Sequence, residues 1–170
     1  MCAPTADVAF NDVTIQQRRP EDRWAGSAKL QYRFSPAVMA YASYANGFKS
    51  GGFNLDRARL SAGVINPDTS FATEKVESYE IGAKTTLLDR RLLANVAAFY
   101  QTYKDFQLNT YTGVSFVVTS IPEVTSKGVD VDFLFNTGIQ GLSLNAGATY
   151  ADTKFGDFPP PLPNLSLIHI

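Results

Sequence analysis

From Trp24 to Phe34 the chain alternates. Trp24, Gly26, Ala28, Leu30, Tyr32 and Phe34 fall on one side, and Ala25, Ser27, Lys29, Gln31 and Arg33 on the other. A strand turns successive side chains to opposite faces, so this pattern predicts a half-buried strand. Ser35-Pro36-Ala37 ends it in a tight turn, because proline presets its φ and offers no N–H to a ladder. Val38 to Asn46 predicts a second strand whose two faces the pattern leaves unassigned. Glu77 to Leu88 predicts a third, with Tyr79, Ile81, Ala83 and Leu87 opposed to Ser78, Glu80, Gly82, Lys84 and Thr86. After a turn at Leu88 to Arg91, Leu92 to Phe106 predicts a fourth, with Leu92, Ala94, Val96, Ala98 and Tyr100 together. Its opposite face is mixed, setting Asn95, Gln101 and Asp105 beside Leu93, Ala97, Phe99 and Tyr103. Thr125 to Phe135 alternates Val129, Val131, Phe133 and Phe135 against Gly128, Asp130 and Asp132. Leu142 to Asp152 closes the series with Leu142, Leu144, Ala146, Ala148 and Tyr150 on one face.

The reading is therefore all-β, an open antiparallel sheet of about six long strands, each of roughly ten residues or more, the length a tilted membrane strand requires. Strands of ordinary globular proteins run nearer five or six residues. The connections alternate as well. Ser35 to Ala37, Leu88 to Arg91 and Asn136 to Gly141 are short, whereas Phe48 to Thr73 and Gln107 to Thr119 are expected as long loops. Short turns on one rim and long loops on the other are how bacterial outer-membrane barrels are built. Tyr32, Phe34, Tyr100 and Tyr150 fall near strand ends, where aromatic girdles meet the lipid interface. A soluble β-sandwich shows the same alternation. Strand length favours the membrane barrel.

Composition sharpens the picture by exclusion. Lys plus Arg number 15 against 16 Asp plus Glu, a formal net charge of -1, which lacks the basic excess that nucleic-acid binding needs. One Cys and one His leave little from which to build a metal site or a Cys/His catalytic centre. No run reaches the roughly 18 apolar residues of a membrane helix; Leu92 to Tyr100 is interrupted by Asn95, and Val114 to Thr119 by Ser115. Met1 to Asp12 lacks the basic-then-apolar order of a signal peptide.

Four segments carry a resemblance. Tyr41-Ala42-Ser43-Tyr44-Ala45-Asn46-Gly47-Phe48-Lys49-Ser50-Gly51-Gly52-Phe53-Asn54 resembles the Tyr-x-Ser-Tyr-x-x-Gly-Phe-Lys-x-Gly-Gly-Phe-Asn segment of TonB-dependent receptor barrels. Glu74 to Lys84 is similar to that family's Glu-x-x-x-x-Tyr-Glu-x-Gly-x-Lys strand, and Ala98 to Gln107 to the strand after it. Lys127-Gly128-Val129-Asp130 is similar to its Lys-Gly-Val-Glu segment, with Asp in place of Glu. The order of the four agrees with the family, and the resemblance runs from about Trp24 to Asp152. It implies a fragment of a barrel of about 22 strands whose lumen holds a separate plug. It also implies an outer-membrane location in a Gram-negative bacterium and TonB-energised uptake of a scarce ligand such as a ferric siderophore. The expected partners are outer-membrane lipid, the rest of the barrel, the plug and TonB; no nucleic acid and no cofactor are expected. The family's plug, TonB box and closing aromatic-ended strand have no counterpart here. The alternatives are a passive porin-like or structural barrel, and a soluble carbohydrate-binding sandwich.

On this reading residues 1–23 are an extracellular loop or irregular segment, 24–152 the partial barrel, and 153–164 the Pro-rich start of a truncated loop. Leu165 to Ile170 continues no strand pattern and matches one reading frame of a transposon-adapter end used in sequencing libraries. It is expected to be a non-native tail, which removes His169 from any site.

No catalytic or metal-binding residue is assigned, and the chain is not expected to be an enzyme. Gly51-Gly52 after Lys49 does not match the Gly-x-x-x-x-Gly-Lys-Ser/Thr phosphate loop; glycine's backbone freedom in a turn accounts for it. Glu77 with Glu80, or Asp130 with Asp132, offers a carboxylate pair for acid/base work. A wet lumen face, balanced by Lys or Arg on adjacent strands, explains Asp130 and Asp132 without catalysis. Lys49, Arg57 and Arg59 lie in the long loop and are the candidate contacts for an anionic ligand, since loops carry binding disproportionately and basic clefts attract anions. Loop solubility, or contact with lipopolysaccharide phosphates, is the plainer explanation. Phe48, Phe53 and Phe71 flank the same loop as anchors.

Overall fold

The computed structural model describes residues 16–54, 68–111 and 116–156. Arg57, Arg59, the Pro-rich run at 159–163 and the tail at 165–170 lie outside the described residues. Eight strands are present among those described: β1 (Gly26–Ser35), β2 (Val38–Lys49), β3 (Gly52–Phe53), β4 (Ser70–Phe71), β5 (Glu74–Leu87), β6 (Leu92–Tyr111), β7 (Phe116–Asn136) and β8 (Ser143–Phe155). Six of them form one antiparallel sheet in the order β1-β2-β5-β6-β7-β8, and β3 and β4 pair separately. The sheet is open, with β1 and β8 at its edges. Among the described residues no second large sheet faces it, as a sandwich would require.

The register carries each face across the whole wall. Leu30, Ala42, Ile81, Ala98, Val129 and Tyr150 are successive cross-strand partners. Tyr32, Ala40, Ala83, Val96, Val131 and Ala148 form the next row on the same face. Two rows cross six strands without a charged side chain. On the opposite face Arg33, Met39, Lys84, Asn95, Asp132 and Gly147 are aligned, and likewise Lys29, Ser43, Glu80, Phe99, Gly128 and Ala151. Because side chains alternate, apolar and polar sets cannot mix without a register slip. The apolar face is uncovered: Leu30 is 76% exposed, Ile81 64% and Tyr150 72%. A water-soluble chain would not leave such a contiguous surface bare.

Two strands exceed the expectation. β6 runs for 20 residues and β7 for 21. The long loop expected over Gln107 to Thr119 is instead strand up to Tyr111 and again from Phe116, paired in continuous register from Phe106↔Ile121 to Tyr111↔Phe116. Leu108 to Tyr111 and Phe116 to Thr119 mix apolar and polar residues at neighbouring positions, so no apolar alternation marks these strand ends. At about 3.4 Å per residue and a tilt of about 40°, the apolar stretch Leu92 to Tyr100 rises roughly 20–25 Å, the height of a lipid-facing band. The rest of β6 and β7 therefore stands above it.

The short-turn rim is built by backbone strain and one arginine. Leu88, Asp89 and Arg90 have φ of 52°, 53° and 69°, and the Arg91 N–H donates to the Leu88 carbonyl at 3.0 Å. The Arg91 side chain donates to the carbonyls of Asn136, at 3.1 Å, and Thr137, tying this turn to the next one. Gly138 beneath it has φ 86°, and a Cβ there would meet the guanidinium.

Candidate functional site

The polar face of the wall is organised around Tyr41. Its ring lies on Gly82, where an added Cβ would stand 2.6 Å from the ring. Lys29 Nζ sits 4.2 Å from the ring centroid and Lys84 Nζ 5.9 Å, a cation–π arrangement, and Glu80 borders the hydroxyl. Phe99 repeats the device on Gly128, where a Cβ would come within 2.7 Å of its ring. Such aromatic cover restores packing where glycine leaves the sheet bare. The carboxylates expected to be balanced by neighbouring cations are handled otherwise. Asp132 accepts from Asn95 Nδ2 at 2.7 Å, and no ion pair among the described residues includes Asp130 or Asp132. Asn95 stands between Asp132 and Lys84 in the register, so an amide, not a direct cation, spans the gap.

On the apolar face the band ends in a row of tyrosines. Tyr44, Tyr79 and Tyr100 are successive partners on β2, β5 and β6, and the first two rings are 5.1 Å apart. Amphipathic rings at that height are what a lipid–water boundary selects. At the other end, Tyr32 and Phe34 meet edge to face at 4.9 Å.

Above the band a polar collar forms, and here alone among the described residues apolar side chains other than Tyr41 are buried: Val117, Ile121 and Val124. The buried positions change parity between Val124 and Ile121. At that point Asp105 adopts φ 54°, and Pro122 cannot donate to the ladder. Wall gives way to collar there. The β3–β4 pair docks on this region through Asn54, whose side-chain amide donates to the Val118 carbonyl at 3.0 Å and accepts from the Val118 N–H at 2.7 Å. Asn54 thus acts as one residue of an added strand. Gln107 Nε2 gathers three carbonyls, from Lys49 (3.3 Å), Ser50 (2.9 Å) and Ala72 (3.0 Å), while its N–H donates to Glu74.

The segment before β1 is fastened to the same collar. Gln17 Oε1 accepts from the Thr69 hydroxyl at 2.8 Å and from its N–H at 3.3 Å. Glu21 accepts from the buried Thr73 hydroxyl, from Arg19 Nε at 2.6 Å and from the Gly51 N–H at 3.3 Å. These donors, Thr73 foremost and then Arg19, hold its carboxyl below the usual carboxylate range.

Of the three expected ligand contacts, Lys49 ends β2 in an exposed position opposite Glu74. Arg57 and Arg59 lie outside the described residues, so the described structure does not bring the three together. Asn54 and Gln107 end two of the segments that carry the family resemblance, but no local pattern gave either a contact, and Glu21 and Thr73 were not marked at all. Among the described residues no group of three or more His, Cys, Asp and Glu is placed to hold a metal ion. The arrangement offers fixed charges and hydrogen bonds, which bind and orient.

Residues 5–167 match the sequence family described as TonB dependent receptor-like, beta-barrel. Among solved structures, the chain superposes on the ferric yersiniabactin uptake receptor FyuA from Yersinia pestis with a TM-score of 0.61 and 22% identity, over 78% of this chain and 18% of that one. The alcaligin outer-membrane receptor FauA from Bordetella pertussis gives 0.55 and 22%, over 84% and 24%. The copper transporter OprC gives 0.55 and 16%, over 77% and 20%. At these identities the superpositions speak for the fold, and the chain spans about a fifth of the receptors' length. With the family matched along nearly its whole length, the chain belongs to the TonB-dependent receptor β-barrel family.

Proposed function

We propose that this chain is part of the barrel wall of a receptor in the outer membrane of a Gram-negative bacterium, which takes up a scarce ligand, such as a ferric siderophore, with energy delivered through TonB. The observation that carries the reading is the family match over residues 5–167, on a sheet whose one face is apolar across six strands and whose other face is charged. In this reading the apolar face meets lipid, and the Tyr41 face lines a lumen that receives a plug from elsewhere in the receptor. The collar of β3, β4 and the upper β6–β7 hairpin shapes the extracellular mouth. Lys49, with Arg57 and Arg59, draws an anionic ligand to that mouth. The solved neighbours support the ligand class: two are named for ferric yersiniabactin uptake and for alcaligin. None of these roles requires bond-making chemistry.

The test is uptake of labelled ferric chelates by iron-starved cells that carry the complete gene, with and without TonB. The expected outcome is saturable uptake that is lost when TonB is deleted. Uptake that persists at full rate without TonB overturns the reading in favour of a passive barrel.

A further inference from the structure

The ladders of the wall stop where the long loop begins. β2 pairs with β5 as far as Lys49↔Glu74, and β5 with β6 as far as Lys75↔Lys104. Beyond that point Asp105 takes its left-handed φ of 54°, and β6 goes on in register with β7. Gln107, two residues further on, reaches back across the gap. Its two amide hydrogens are shared among the carbonyls of Lys49, Ser50 and Ala72, where the chain leaves β2 and where it returns toward β5. One side chain therefore closes the base of the loop. The same residue decides what Glu74 does. An acid opposite a lysine ordinarily makes a cross-strand ion pair. Here the Glu74 carboxylate accepts from the Gln107 backbone N–H at 2.9 Å, and no ion pair among the described residues includes Lys49 or Glu74. Lys49 is exposed, and its register places it on the Tyr41 face at the upper end of β2. Its main chain is pinned while its natural counterion is engaged elsewhere.

We propose that Gln107 is a positioning residue for an anionic ligand: it holds Lys49 at the mouth with an ammonium that Glu74 does not neutralise. Gln107 itself touches no ligand and acts through Lys49. Without the side-chain amide the end of β2 is released from β6, and the Glu74 carboxylate closes on the lysine opposite it. The anion then meets a neutralised pair instead of a placed cation. Loss of a placed charge has a signature that a softened loop lacks. Its effect is large in dilute salt and fades as salt screens the attraction. It also disappears when the lysine is already gone, because two residues acting through one contact do not add.

The inference rests on the uptake reading above, and the experiment separates the two. Iron-starved cells carrying the complete receptor are offered radio-iron as ferric citrate, as a ferric tricatecholate and as a neutral ferric trihydroxamate. Half-saturating concentration and maximal rate are then measured, at low and high salt, for the chelate taken up. Gln107→Met keeps the volume and removes the donors. Gln107→Met and Lys49→Gln are each expected to raise half-saturation roughly fivefold at low salt, with the maximal rate kept. The double variant is expected to go no further than either alone. Additive effects, or a Gln107→Met effect as large at high salt, overturn the proposal, as does uptake of the neutral chelate alone. If Gln107→Met fails to reach the outer membrane, acetylation of amines on the unaltered receptor decides. Lys49 is expected to react freely until the anionic chelate shields it; a Lys49 that is slow without chelate, or unshielded with it, overturns the proposal. A receptor that takes up none of the three chelates overturns the uptake reading itself.

Discussion

The wall and the collar are made from the same strands and held by opposite means. In the wall, from Leu92 to Tyr100 and its neighbours, pairing is strictly between adjacent strands and the apolar side chains point away from the protein. Its stability depends on what surrounds it. In the collar, apolar burial at Val117, Ile121 and Val124 is joined to hydrogen bonds spanning 52 and 64 residues of sequence, from Gln17 and Glu21 to Thr69 and Thr73, and from Asn54 to Val118. The collar supplies its own interior. A lipid-facing wall tolerates variation in shape and forbids charge; the collar tolerates charge and depends on individual partners.

Breaking the wall has the largest expected effect. Val96→Arg places a cation halfway along the apolar stretch and is expected to lower the folding stability of the intact barrel in vesicles by about 2–4 kcal/mol. Thr149→Lys on the other face of the same wall is expected to change it by less than about 1 kcal/mol. Denaturant titration into vesicles reads both. Equal costs would mean that the two faces are not lipid and water.

Next in size is the packing of Tyr41 on Gly82. Gly82→Ala drives a methyl group into the ring and is expected to cost about 1–3 kcal/mol in the same titration. In a Tyr41→Ala background most of that cost should vanish, since the clash has gone. An unchanged cost would place the penalty in the backbone of β5.

The wall was legible in the sequence because oil and water on its two faces impress a period of two on the residues. Tyr79, Ile81 and Ala83, and Val129, Val131 and Phe133, announce their side. β2 was harder to read: Ala40 and Ala42 are too small to contrast with Ser43, and Tyr41 looks apolar while its register turns it to the charged face. Above the tyrosine row the contrast fades altogether. Leu108 to Tyr111 and Phe116 to Thr119 form strand without alternation, so they resemble a loop. The collar's contacts were beyond reach for a different reason. Asn54 finds Val118 only once the sheet has set their positions, and nothing local in either segment encodes the pairing.

The collar yields smaller effects. Asn54→Ala leaves the Val118 N–H and carbonyl without their partner and is expected to cost about 1–2 kcal/mol, confined to the collar. Hydrogen exchange should show faster exchange at Val118 and unchanged protection at Val96 and Val131. Loss of protection at all three would mean that wall and collar unfold as one unit.

Smallest is the acid response of the strap before β1. The Glu21 carboxyl is held below its ordinary value, so the contribution of its contacts is complete above the unfolded value of 4.5 and is lost as pH falls through the lower folded value. Exchange at the Gly51 amide should therefore stay slow, after correction for intrinsic rate, from neutral pH to about 5, and quicken only in stronger acid. Glu21→Gln should abolish this pH dependence. A transition near neutrality would point to another group.

Strictly neighbour-to-neighbour pairing makes the sheet behave like fencing sold by the panel. A hairpin such as β6–β7 touches the rest of the wall along only two ladders, so exchanging it between related receptors at the short turns disturbs just those two seams. The long-range ties impose one condition on the trade. A graft that brought in a new β7 tip without an Asn54 counterpart on the host would arrive as sound wall with an unfastened crest.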